Sequence, residues 1–124
     1  MKPEQQVCSL HLAKKLKELG AKQESYFYWH NDGSIDALHP TQVAPETVYS
    51  AFTVAELGEM LPRLTNCRIW QQHSTDTSKI AGKWAVTVND VRDDKFDEVT
   101  ADTEADARAK MLIYLLENYL IPKE

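Results

Sequence analysis

The chain has 124 residues, 43% of them hydrophobic, with three Trp, five Tyr and three Phe. A single domain of that size buries roughly two-thirds of its unfolded surface, so this composition supports one packed core and excludes disorder as the state of the whole chain. Nineteen acids against fourteen bases leave a net charge of −5, which weighs against broad binding of phosphate backbones and is too small for a nucleic-acid mimic. No stretch of about 18 or more apolar residues occurs, so nothing in the pattern reads as a bilayer span. The first six residues are largely charged and polar, and no apolar signal region follows them. The expectation is a cytoplasmic protein whose two cysteines, Cys8 and Cys67, are free thiols.

Residues 9–19 carry Leu12, Leu16 and Leu19 at i, i+4 and i+7, one stripe of an amphipathic helix, with lysines opposite. Ser9 stands where an N-cap belongs, and Gly20 where a left-handed residue closes a helix. Residues 25–30 are dense in aromatics, and four in succession (Tyr26, Phe27, Tyr28, Trp29) predict a strand covered on both faces. Residues 31–34 read as a turn. From there to residue 46 no period emerges, and the middle of that long loop has room for a short edge strand.

Thr53 and Glu56 have the spacing of a capping box, followed by Val54, Leu57 and Leu61 on one helical face, with Pro62 as the stop. Phe52 precedes the cap, placed to staple against Leu57. Residues 67–73 alternate like a strand, and residues 74–79 read as a polar connection. Residues 82–89 alternate cleanly, with Trp84, Val86 and Val88 on one face and Lys83, Thr87 and Asn89 on the other. A turn at 90–95 and a short return strand at 96–100 complete an antiparallel meander. Thr103 caps a last helix whose stripe of Ala105, Ala109, Leu112, Leu116 and Tyr119 or Leu120 is widened by Met111, Ile113, Tyr114 and Leu115, with Pro122 just past its end. That breadth predicts a helix packed centrally against the sheet. The order is α-β-α-β-β-β-α, an α+β two-layer sandwich with a three- to four-stranded antiparallel sheet and helices mainly on one face.

Three blocks, residues 8–20 leading into Tyr26–Trp29, residues 49–62 and residues 100–118, together resemble a family of small uncharacterised proteins encoded by bacteriophages and prophages. The final helix and the strands before it are similar, more distantly, to small phage α-β-α sandwich domains. The resemblance implies a phage or prophage setting and carries over no activity, cofactor or catalytic residue.

Candidate chemistry is sparse. Cys8 and His11 stand at i, i+3, half of a zinc site that would need Cys67 and His73, or His30 and His39, to complete it. No paired cysteine knuckle supports this, and no metal or cofactor is expected. His30, Asp32 and Asp36 gather at the mouth of the long loop with His39 nearby. That set could serve acid–base chemistry or be a polar turn closed by an Asx hydrogen bond. Cys67 and His73 on one regular strand would lie roughly 20 Å apart, too far to pair. No phosphate loop or nucleophile elbow is present. The aromatics exceed what a minimal core needs, and Arg68 and Trp70 are spaced to share a strand face with hot-spot chemistry. Arg68, Trp70, Tyr28 and His30 are therefore the candidate binding residues. The acidic charge favours a protein partner over nucleic acid, and a homodimer stays open. The expected function is a non-enzymatic accessory protein that binds another macromolecule, the alternative being a small hydrolase or ligand-binding domain using the loop from His30 to His39.

Overall fold

A computed structural model describes residues 6–37, 48–61, 73–80, 82–90 and 95–118. Among the described residues it is an α+β fold of three helices and two three-stranded antiparallel sheets. In chain order these are α1 (Leu10–Glu18), β1 (Tyr28–His30), β2 (Ile35–Asp36), β3 (Val48–Ser50), α2 (Val54–Met60), β4 (His73–Ile80), β5 (Lys83–Asp90), β6 (Lys95–Ala101) and α3 (Glu104–Glu117).

The helix ends follow their local chemistry. α1 buries Leu12, Ala13 and Leu16 and closes in a Schellman motif. The Gly20 N–H donates to Lys17 O at 3.1 Å and the Ala21 N–H to Leu16 O at 3.0 Å, with Gly20 at φ +95°. Ser9 has the extended backbone of an N-cap, but its side chain makes no capping bond. Its hydroxyl pairs instead with His11 Nδ1 at 3.1 Å. At α2 the capping box forms in full: the Glu56 N–H donates to Thr53 Oγ1 at 3.2 Å, and Glu56 Oε1 accepts the Thr53 N–H at 2.9 Å. Phe52 and Leu57 are both fully buried in one core cluster, where a staple would place them. Thr103 caps α3 by accepting the Asp106 N–H at 3.2 Å.

The strands divide into two sheets, ordered β2-β1-β3 and β4-β5-β6, rather than one. In the first, β1 is the central strand, with Trp29 opposite both Ile35 and Tyr49; Tyr28 is 3% and Trp29 8% exposed, while Tyr26, ahead of the strand, is not covered. β2 is a short edge strand at the start of the long loop; the middle of the loop, where such a strand was expected, lies outside the described residues. In the second sheet, residues 74–79 are not a connection but most of β4, in unbroken register with β5 from His73↔Asp90 to Ile80↔Lys83. Gly82, at φ +81°, immediately precedes β5 in the tight connection between them. Alternating Ser and Thr read as linker, yet the β-branched threonines and an adjacent hydrophobic strand suffice to recruit them into a ladder. Strand β3 also escaped the pattern, because three residues are too few to show a period. The strand expected at residues 67–73 lies, except for His73, outside the described residues.

α3 is the centre of the molecule. It packs against α1 and α2 on one side and β5 and β6 on the other. Eight of its side chains are buried, Ala107, Ala109 and Ile113 among them, so it is apolar nearly all round, as a helix enclosed on several sides must be. The segment before α1 is stitched to this core at three points. The Cys8 N–H donates to Phe52 O (3.0 Å), the buried Trp29 indole N–H donates to Cys8 O (2.8 Å), and the Ser9 N–H donates to Asp106 Oδ1 (2.7 Å). Among the described residues no helix is long and apolar enough to cross a membrane.

Candidate functional site: a groove between two helix starts

Where α2 and α3 begin, their first turns lie side by side, and the chain entering β1 passes in front of them. Between them opens a groove of about 980 Å³. Its apolar walls come from Tyr26 and Phe27 before β1, Val54 and Ala55 of α2, Trp84 of β5 and Ala105 of α3; Gln6, Thr53, Asp102, Thr103, Glu104 and Arg108 add polar groups.

Each wall is held by a bond that the local sequence makes available. The Tyr26 N–H donates to Glu56 Oε2 at 3.2 Å, the second oxygen of the carboxylate that closes the capping box. One side chain thus starts α2 and fixes the backbone of Tyr26. Phe27 O accepts the Ala51 N–H (2.9 Å) and the Ser25 hydroxyl (2.7 Å), which anchors the next residue. Tyr26 itself is 72% exposed, the one large hydrophobic side chain so exposed among the described residues. Trp84 is half-buried, and the Lys79 ammonium sits 5.5 Å from its ring centroid, within cation–π range.

Arg108 spans the two helices. Its Nη2 donates to Glu104 Oε2 at 2.9 Å, and its Nη1 reaches Val54 O at 3.4 Å. The guanidinium lies against Gly58, where an added Cβ would collide with Nη1. Its Nε is buried without a hydrogen-bond partner. The pair at the rim, Lys83 with Asp102 at 3.2 Å, is solvent-exposed and therefore weak.

The residues singled out from the sequence are distributed differently. Tyr28 is buried in β1, with its hydroxyl oxygen 3.4 Å from the Ser25 N–H. His30 is half-buried and stands 3.8 Å from Asp36 across the β1–β2 hairpin. Asp32, at the tip of that hairpin, is exposed and spends its Oδ1 on the Ser34 N–H (2.9 Å) and hydroxyl (2.6 Å), the Asx arrangement of a polar turn. These two hydrogen bonds hold the Asp32 carboxyl below its usual range. The groove is lined by none of Tyr28, His30, Asp32 and Asp36. Arg68, Trp70, His39 and Cys67 lie outside the described residues.

Cys8 and His11 are not brought together, since Cys8 is fully buried while His11 is exposed. Burial pushes the Cys8 thiol up to about 12, so it is a protonated core group at neutral pH. Among the described residues no three His, Cys, Asp or Glu side chains are grouped to hold a metal ion. Among the described side chains of β4-β5-β6 the exposed ones are Ser78, Lys79, Lys83, Glu98 and Thr100, all polar, while the aromatic Trp84 is half-buried against the core and lines the groove.

Sequence reasoning missed Arg108, Glu104 and Gly58. Two signals were available: a Glu–Arg pair at i, i+4, and a glycine inside a helical stripe, which marks close approach of another group. Comparison with family models, curated proteins and solved structures finds no match to this chain.

Proposed function

We propose that the protein acts by binding a segment of another protein in the groove between the starts of α2 and α3, as a non-enzymatic accessory protein of phage or prophage setting. The observation that carries this reading is Tyr26, a large aromatic left exposed on a backbone held in place, beside an apolar groove that also presents Phe27 and Trp84. Aromatic and arginine side chains on a fixed frame are the composition of interface hot spots. The net charge of −5 and the mixed signs around the groove favour a protein over a phosphate backbone.

The test is affinity capture from the native host's lysate with and without nuclease, comparing the wild type with Tyr26→Ala. Tyr26 is exposed, so its loss should leave stability within about 0.5 kcal/mol. A protein partner that survives nuclease and is captured roughly thirtyfold less well by the variant supports the reading; that ratio corresponds to a hot spot of about 2 kcal/mol. Equal capture by both proteins removes the groove from consideration, and capture that depends on nucleic acid overturns a protein partner. The second reading, an acid–base or ligand site at the hairpin, rests on His30 beside Asp36. It requires His30→Ala to abolish a hydrolytic or ligand-binding activity that Tyr26→Ala leaves intact.

A further inference from the structure

Asp32–Gly33 is the one Asp–Gly step in the chain, and it forms the tip of a three-residue hairpin loop between His30 and Ser34. Glycine has no side chain to shield its amide nitrogen, so in an unconstrained chain this step is prone to cyclise. The Gly33 nitrogen bonds to Asp32 Cγ, while the amide proton and a carboxyl hydroxyl leave as water and a five-membered imide forms. Water then opens the imide at either carbonyl. One opening restores aspartate; the other routes the main chain through the side-chain carbonyl as isoaspartate.

The hairpin restrains both reacting groups. Asp32 Oδ1 is tethered by the Ser34 hydroxyl at 2.6 Å and the Ser34 N–H at 2.9 Å. The Gly33 N–H is engaged by His30 O at 3.0 Å, and Gly33 sits at φ +89°. We infer that Asp32–Gly33 is a site of spontaneous isoaspartate formation whose rate in the folded protein is held down by Ser34. The ionised carboxylate is the poorer electrophile, and the same two hydrogen bonds favour it. Conversion would insert a methylene into the backbone of a three-residue loop. The His30 N–H to Ser34 O bond of 2.9 Å, and with it the pairing of β1 to β2, would be lost.

The experiment incubates the wild type, Ser34→Ala, Ser34→Thr and urea-unfolded wild type at physiological temperature and neutral pH. Isoaspartate at position 32 is counted by fragmentation mass spectrometry, with hydrogen exchange at the His30 amide as a check that the hairpin persists. The unfolded chain should convert several-fold faster than the folded wild type. Ser34→Ala, which loses the hydroxyl bond but keeps the Ser34 N–H bond and the Gly33 restraint, should convert clearly faster than the folded wild type while its hairpin is intact. Ser34→Thr, which keeps both donors, should stay at the wild-type rate. Equal rates for Ser34→Ala and wild type, or a Ser34→Thr rate as high as that of Ser34→Ala, overturn the role of Ser34. Absence of isoaspartate from the unfolded chain overturns the site itself.

Discussion

Cys8 shows how one buried group couples acidity to folding. Its thiol is enclosed by core residues, and desolvation is the first cause of its rise from 9.0 to about 12, with backbone hydrogen bonding opposing it. Below pH 9 the thiol is protonated in both folded and unfolded chains, so it adds no pH dependence. Between about 9 and 12 the unfolded chain releases the proton and the folded one retains it, so stability falls with pH, by roughly 1.4 kcal/mol per unit from this group. Cys8→Ala should lack that contribution, which the difference between the two proteins' urea midpoints across this range would measure. Peptide-resolved alkylation at neutral pH should leave Cys8 unmodified until the protein unfolds. Ionisation of Cys8 in the folded protein near pH 9 would contradict this account. None of this is legible from Cys8 and its neighbours in sequence, because the residues that desolvate it arrive from distant parts of the chain.

At the scale of elements, the contact between α2 and α3 turns on Gly58. Alanine is intrinsically better in a helix by about 1 kcal/mol, but a Cβ here displaces the Arg108 guanidinium from Val54 O and from its alignment with Glu104. The two effects oppose each other. Gly58→Ala alone should change stability by less than about 0.5 kcal/mol, whereas in an Arg108→Ala background it should stabilise by about 1 kcal/mol. A thermal or urea double-mutant cycle reads the difference, and identical effects in both backgrounds would show that Gly58 and Arg108 are independent. The helices themselves were readable from sequence. Gly20 and the Thr53–Glu56 pair act within a few residues, and local chemistry of that kind survives in any tertiary context. Strand β4 was not readable, because a Ser/Thr-rich run becomes a strand through the ladder offered by β5.

For the whole molecule, α3 is the shared element. It carries the contacts of both α1 and α2 and also those of the second sheet, so helices and sheet should unfold together. Ala109 is fully buried on this helix, and Ala109→Leu should overpack its surroundings at a cost of about 1–3 kcal/mol. The loss should appear as one lowered transition, the same by near-ultraviolet and far-ultraviolet circular dichroism. Two separated transitions would mean that the β4-β5-β6 sheet is stable without the helices. The groove belongs to this scale too. Tyr26, Trp84 and Arg108 are separated by 58 and 24 positions in the chain and meet because α3 brings the start of α2 to the sheet.

The sequence by itself determined what short-range physics can specify: the three helices, the Thr53 and Thr103 caps, the Gly20 closure of α1, the alternating strand β5, and the α+β class that follows from their order. It also indicated an excess of aromatics over a minimal core, without saying where that excess would emerge. Tertiary structure decided the rest. It divided the strands into two sheets, buried Tyr28, left Tyr26 exposed, separated Cys8 from His11 and assembled a groove from five parts of the chain. Helix caps act over three or four residues, and a one-dimensional pattern records them. Exposure of a particular aromatic depends on what packs over it, and that is fixed only when distant segments meet.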